Sequence, residues 1–137
     1  MHELCKDVKY WLEETSDLTF LQQSARIHFR LAQIHPFENG NGRHARLISD
    51  LYLQSLHGKK PHWPEQILQA NSNARKEYID SLRKADRGEY FYLENLIVKY
   101  GGTNPTIAQI LTLPFFKQNL SQKKLEETVQ NLQKNGQ

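Results

Sequence analysis

A chain of 137 residues with a net charge of +3 and 38% hydrophobic residues has the length of one compact domain with a modest core. No apolar run approaches the roughly 20 residues that cross a bilayer, and Cys5 is the only cysteine, so a membrane span and an internal disulfide are excluded. We expect a cytoplasmic protein without a signal peptide, in which Cys5 is a packing residue and most charges are solvated.

Helical periodicity dominates from the N-terminus onward, and the alternation typical of strands is almost absent. A first helix is predicted over residues 3–14. A second, over residues 19–34, must end before Pro36, because the residue before a proline is pushed out of helical geometry. A third begins at Asn41 or Gly42 and reaches about Leu56. The predicted core faces of these helices are Leu4, Val8, Trp11 and Leu12; Phe20, Ile27, Leu31 and Ile34; and Ala45, Ile48, Tyr52 and Leu56.

The second half of the chain is predicted to continue as short helices. A run of glycine and proline signals over residues 101–105 indicates a boundary between a core, residues 1–100, and a small helical appendage, residues 101–137. Two helices in the appendage allow a DNA-reading arrangement, and a plain packing role is the alternative interpretation. The predicted helices are residues 65–69, 73–85, 90–99, 106–111 and 121–132.

The chemistry is concentrated between the second and third helices, where the chain reads HPFENGNGRHAR from His35 onward. Gly40 and Gly42 let the backbone approach a ligand closely, and the helix that follows presents unpaired N–H groups and the positive end of its dipole. Arg43 and Arg46 share one helical face and have the fork geometry that suits phosphate oxygens. His35 is placed to accept a proton near neutrality. This combination predicts phosphoryl or nucleotidyl transfer.

The same twelve residues resemble the signature of the Fic family, H-x-F-x-(D/E)-G-N-G-R-x-x-R. The resemblance extends in kind over about residues 3–99, and the residues 44–47 with Trp63 are most similar to the group called mobile mystery protein B. It implies an all-α, Fic-type helical bundle with a central helix–loop–helix active site. It also implies an enzyme that transfers AMP from ATP, with Mg²⁺, to a Ser, Thr or Tyr hydroxyl of a target protein.

The resemblance assigns a role to each residue of the motif. His35 would be the general base, and Phe37 would anchor the loop on the core. Arg43 would bind the phosphate chain, and Arg46 would hold the γ-phosphate. Tyr78 would help to form the adenine pocket. The anion hole around the α- and β-phosphates would be made by Gly40, Asn41 and Gly42.

Three departures from the family pattern are visible. The acid that usually binds magnesium falls at Asn39, whose neutral amide oxygen is a weaker ligand than a carboxylate. The β-hairpin flap that usually precedes the first helix is not found, and neither is the usual inhibitory motif, whose glutamate occupies the γ-phosphate arginine. We therefore expect any inhibition to come from another segment or from a partner such as an antitoxin, within a toxin–antitoxin or regulatory system.

Several alternatives remain at this point. The chain could be a Fic module that binds nucleotide but turns it over weakly, or a nucleic-acid-associated regulator, although nucleic acid is not the expected partner. Arg46 could simply pair with Asp50, four residues further along the same helix. His28 is interpreted as a hydrogen-bonded structural histidine, and His44 as an exposed residue without a catalytic role.

Overall fold

The computed structural model describes residues 2–13, 17–34, 40–113 and 130, with side chains from residue 2 to residue 10 in the first range. Within these ranges the chain is helical, and strand-type pairing is limited to one isolated antiparallel bridge between Lys59 and Thr103. The fold is all-α, as predicted. The helices are α1 His2–Glu13, α2 Phe20–Ile34, α3 Asn41–Ser55, α4 Glu65–Gln69, α5 Asn73–Asp86, α6 Phe91–Lys99 and α7 Ile107–Leu111.

Side-chain caps explain where several of these helices begin. At α2, Gln22 N–H donates to Thr19 Oγ1 at 3.2 Å and Thr19 N–H donates to Gln22 Oε1 at 2.9 Å, a reciprocal capping box. Ser72 caps α5 by accepting from the backbone N–H of Arg75 at 3.1 Å. These local bonds satisfy first-turn donors, and the sequence therefore predicted most helix ends to within one or two residues.

The core is built around α2, which packs against α1, α3, α5 and α6. One side of α2, which includes Ala25 and Phe29, joins a cluster that also contains Leu53 and Leu93. The other side, which includes Ile27, packs in a smaller cluster. Because both sides of α2 are covered, the helices around it form a bundle. None of the helices in the described ranges combines the length and the apolar character needed to cross a bilayer.

Two residues that were predicted to be buried are exposed, and His44, which was predicted to be exposed, is half-buried. Ile48 is 37% exposed, whereas Ser49 and Leu53 of the same helix are buried, so α3 turns the face Ala45–Ser49–Leu53 toward α2. The hydrophobic pattern predicted the wrong buried face because Ser49 is polar. Ser49 can nevertheless be buried, since its hydroxyl donates a hydrogen bond to the carbonyl of Arg46 at 3.1 Å. Cys5 is exposed and does not pack in the core.

The described part of the predicted appendage packs on the bundle. Ile110 and Leu113 belong to the same cluster as Phe20 and Leu21. Leu21 N–H also donates to Asn104 Oδ1 at 2.8 Å, across 83 positions of sequence. Of the predicted helix 121–132, only residue 130 is described, and it is helical. The division of the chain after residue 100 stays a prediction.

Candidate active site

The candidate site is built on the first turn of α3. Gly40 is the N-cap of this helix, with φ 77° and ψ 17°, a left-handed conformation that favours glycine. Glycine has no side chain that could accept from the first-turn N–H groups, so α3 begins without a side-chain cap. The positive end of the dipole of this 15-residue helix is therefore presented at Gly40.

Both arginines of the motif fold back toward this helix start. A Cβ atom built on Gly40 would lie 3.4 Å from Nη2 of Arg43, and one built on Gly42 would lie 3.0 Å from Nη1 of Arg46. Gly42 thus leaves space that the Arg46 guanidinium occupies, whereas a Cβ at Gly40 would make an ordinary contact with Arg43. The structure brings together two cations and the start of a helix, an arrangement suited to binding phosphate oxygens.

The two arginines have different surroundings. Arg43 is exposed, whereas Arg46 is buried, with 5% of its surface exposed. Arg46 donates from Nε to Glu65 Oε1 at 2.7 Å and from Nη2 to Glu65 Oε2 at 2.6 Å. Burial alone would lower the pKa of Arg46, but its hydrogen bonds to Glu65 and its interaction with the neighbouring Tyr78 outweigh burial and raise it. The alternative of an Arg46–Asp50 ion pair is not the contact that forms.

His28 is a buried structural histidine, as predicted. Its Nε2 lies 2.6 Å from the Tyr78 hydroxyl, and its Nδ1 lies 3.4 Å from Ser49 Oγ. Burial, helped by the charge of Arg46, lowers the pKa of His28 to about 3. The Ser49 hydroxyl donates its hydrogen to the carbonyl of Arg46, so it can only accept from His28. We therefore infer that Nδ1 of His28 carries the imidazole proton and that Nε2 accepts from the Tyr78 hydroxyl.

Tyr78 connects this histidine to Arg46. Its ring centroid lies 5.2 Å from Arg46 Cζ, and burial raises its pKa, which keeps the hydroxyl protonated. The result is a chain of contacts that runs from His28 to Tyr78 by a hydrogen bond, from the Tyr78 ring to Arg46 by a cation–π contact, and from Arg46 to Glu65 by an ion pair. This chain joins α2, α5, α3 and α4 beneath the helix start.

Asp50 and Trp63 attach the beginning of α4 to α3. Trp63 Nε1 donates to Asp50 Oδ1 at 3.2 Å, and the indole also packs against the rings of His28 and Tyr78. Burial raises the pKa of Asp50 to about 6, although the bond from Trp63 acts in the opposite direction. Glu65, two residues after Trp63, is held beside Arg46 by these contacts.

The motif residues from Gly40 onward meet at one place, namely Gly40, Asn41, Gly42, Arg43 and Arg46. Tyr78 lies next to Arg46 in the buried chain, and its contact with a nucleotide stays a prediction. His35, Phe37 and Asn39 lie outside the described residues, and their roles stay predictions as well.

Sequence reasoning missed Glu65. Nineteen positions separate it from Arg46, and a glutamate that opens a short helix after a proline looks like an ordinary first-turn acid. Trp63 could have indicated the contact. It is a large aromatic residue whose indole N–H needs a partner, and its packing brings the start of α4 close to α3.

Within the described residues, α2 and α3 form the central helix pair of an all-helical bundle, and the start of α3 places two arginines beside two glycines, an arrangement suited to binding an anion. Residues 1–53 match the sequence model of the Fic/DOC family. This match and the relatives given next support a Fic domain in this chain. No solved structure matches the chain.

Three relatives show the extent of the similarity. "Protein adenylyltransferase fic-1" of Caenorhabditis elegans is 36% identical over 89 residues, which is 64% of this chain and 16% of the relative. "Protein adenylyltransferase Fic" of Aedes aegypti is 32% identical over 81 residues, 58% of this chain and 15% of the relative. "Probable protein adenylyltransferase aq_aa38" of Aquifex aeolicus (strain VF5) is 27% identical over 93 residues, 68% and 26% respectively. The chain covers between 15% and 26% of the length of these relatives.

Proposed function

We propose that this chain transfers AMP from ATP to a Ser, Thr or Tyr hydroxyl of a target protein. The observation that carries the proposal is the folding back of Arg43 and Arg46 over Gly40 and Gly42 at the start of α3. Two guanidinium groups and a helix dipole that converge on one point suit the triphosphate of a nucleotide. The printed names of the relatives, protein adenylyltransferases, support AMP as the transferred group.

In the proposed reaction, residues of this chain act as the base and stabilise the phosphates. His35 accepts the proton of the target hydroxyl, whose oxygen then forms a bond to the α-phosphorus of ATP. The bond between that phosphorus and the bridging oxygen to the β-phosphate breaks, and pyrophosphate leaves. Arg43 and Arg46 stabilise the charge that develops on the phosphates, so the rate gain comes mainly from positioning and electrostatics.

Magnesium is proposed as the metal that accompanies ATP, with Asn39 as its protein ligand. An amide oxygen is an acceptable donor for this hard cation, but it brings no charge and binds more weakly than a carboxylate. When bound, the ion would neutralise phosphate charge. We expect Asn39→Asp to lower the Mg²⁺ concentration at half-saturation, measured by titration of activity, and an unchanged value would remove Asn39 as a ligand.

Transfer of labelled AMP to protein tests the proposal. Incubation of the chain with ATP labelled at the α-phosphate in a cell lysate is expected to label one or more proteins. His35→Ala should abolish the labelling, because the base is lost, while the matched control His62→Ala, at an exposed position, should not. Labelling that survives His35→Ala would overturn the assignment of the base. Labelled UTP in parallel tests whether another nucleotide is preferred.

A second candidate is a Fic module that holds nucleotide and transfers it weakly. The specific observation in its favour is Asn39, which replaces the usual acidic ligand. This candidate is distinguished by ATP binding without incorporation of label. Partners are proposed on the same basis: a target protein and, within a toxin–antitoxin system, an inhibitory antitoxin. We place the protein in the cytoplasm because a single cysteine fits a reducing compartment.

A further inference from the structure

Glu65 holds one edge of a guanidinium group that the proposed function assigns to the γ-phosphate. Its carboxylate accepts from Nε and Nη2 of Arg46 at 2.7 and 2.6 Å. Nη1 lies outside this fork, and it is the nitrogen that reaches the first turn of α3, 3.0 Å from where a Cβ of Gly42 would stand. One edge of Arg46 is therefore fixed, and the remaining nitrogen is directed toward the helix start.

The ring face of Tyr78 restricts Arg46 from another side. The Tyr78 centroid lies 5.2 Å from Arg46 Cζ, and the Tyr78 hydroxyl is itself bonded to His28 at 2.6 Å. Arg46 is only 5% exposed, and a buried cation needs a bonded partner to be tolerated. Glu65 supplies that partner, and the side-chain entropy of Arg46 is lost during folding and not during ligand binding.

The segment that carries Glu65 is attached to the same helix as Arg46. Trp63, two residues before Glu65, donates to Asp50, which lies one turn after Arg46 on α3. The Trp63 ring also packs 5.5 Å from the ring of Tyr100. These contacts fix the start of α4 next to Arg46. Glu65 therefore belongs to a packed segment and not to a lid that closes over the site.

We propose that Glu65 is a positioning residue that orients Arg46 so that Nη1 donates to the terminal phosphate of the bound ligand. This inference rests on the proposed function, since it takes Arg46 as a phosphate-binding group. Glu65 acts through Arg46 and does not contact the nucleotide. The opposite role, competition between the carboxylate and phosphate for Arg46, predicts tighter binding when the carboxylate is removed.

Calorimetric binding of ATP and of inorganic tripolyphosphate tests this role. Glu65→Ala is expected to weaken the binding of both ligands about tenfold, whereas it should change nothing further in an Arg46→Ala background, because its effect passes through Arg46. Glu77→Ala is the matched control, since it removes an exposed glutamate that pairs with Lys99 at 3.2 Å. Glu65→Gln, which keeps the shape and one acceptor oxygen, should restore part of the affinity and serves if Glu65→Ala does not fold.

The outcomes separate the two proposals. Unchanged or tighter binding by Glu65→Ala, or an equal loss with Arg46→Ala present, overturns the positioning role. A wild-type chain that binds neither ligand overturns both the positioning role and the proposed function. Binding of tripolyphosphate but not ATP, with the expected dependence on Glu65, supports the positioning role and overturns the nucleotide function.

Discussion

Single residues decide the electrostatics of the candidate site. Arg46 keeps its charge in a buried position because Glu65 and Tyr78 surround it, and His28 stays neutral because it is buried close to that charge. Gly40 allows the left-handed start of α3, and Gly42 leaves room for the Arg46 guanidinium. Two predictions follow from these local contacts, one for a glycine and one for the histidine.

Gly40→Ala should weaken ATP binding as well as stability. Its backbone has φ 77°, and the new Cβ would come into van der Waals contact with Arg43, 3.4 Å from Nη2, at the helix start where the phosphates are proposed to bind. Gly88→Ala is the control, because Gly88 has φ 85° but no atom within 4 Å of a built Cβ. Denaturation in urea should show a loss of about 1–2 kcal/mol for both variants, from the left-handed conformation. Calorimetry should show weaker ATP binding for Gly40→Ala alone, and equal affinities would contradict this account.

His28 should make the protein sensitive to acid. Its pKa in the folded chain is about 3, below its ordinary 6.5, so the unfolded chain takes up the proton first. The contribution of His28 to stability is therefore full above neutrality and falls as the pH drops, by about 2 kcal/mol at pH 5 relative to pH 8. Asp50, whose pKa is raised to about 6, opposes this loss between about pH 4 and pH 6, because its proton stabilises the folded chain.

The measurement is urea denaturation at a series of pH values. In His28→Gln the acid-dependent loss assigned to His28 should disappear, whereas in His62→Gln, at an exposed position, it should remain. A wild-type curve and a His28→Gln curve with the same pH dependence would show that His28 does not control the transition.

At the scale of secondary-structure elements, α2 and α3 form the central pair, and the face that α3 turns toward α2 determines what is buried. Leu53 is 0% exposed, whereas Leu51, two positions earlier, is 51% exposed. Both leucines are equally hydrophobic, so the sequence pattern does not distinguish the buried one from the exposed one. The orientation of α3 about its own axis in the structure does. This orientation also places Ser49 against His28 and Arg46 at the base of the site.

Leu53→Ala should destabilise the chain by about 2–5 kcal/mol, because it removes buried methyl groups and leaves a cavity in the main cluster. Leu51→Ala, the matched control on the same helix, should change stability by no more than about 0.5 kcal/mol. Thermal and urea unfolding of both variants measure the difference. Equal losses would mean that α3 does not present the Leu53 face to α2.

How far the sequence predicts these elements depends on whether the signal is local. The limits of α4 were predicted to the residue, and those of α2 and α5 to within one, since capping residues and prolines act on their own neighbourhood. The prediction that Ile48 belongs to the core was wrong, because the analysis of hydrophobic periodicity does not count a buried serine such as Ser49 as a core position. The Arg46–Glu65 pair could not be predicted, because it depends on how the connection after α3 packs.

At the scale of the whole molecule, residues 101–113 tie the end of the described bundle to the beginning of α2. The side chain of Asn104 accepts from Leu21 N–H and so supplies a cap from a distant part of the sequence. Gly102 lies so close to α6 that a Cβ atom would stand 2.5 Å from Cγ2 of Ile97. Contacts of this kind link the stability of α2, which leads into the motif, to the region after α6.

Asn104→Ala should lower the free energy of unfolding by about 1 kcal/mol, the usual cost of losing a helix cap. Asn95→Ala is the control, because Asn95 is an exposed residue of α6. Unfolding in urea compares the two variants. A loss that is no greater for Asn104→Ala than for Asn95→Ala would show that the cap does not contribute to stability.

The central proposal is that the start of α3 binds the triphosphate of ATP and that the hydroxyl of the target protein attacks the α-phosphorus. The most direct measurement compares ATP labelled at the α-phosphate with ATP labelled at the γ-phosphate, each incubated with the chain and a lysate. Adenylyl transfer predicts that protein acquires the α-label and that the γ-label leaves with pyrophosphate. Protein that acquires the γ-label, or that acquires neither label while ATP is bound, would contradict the claim.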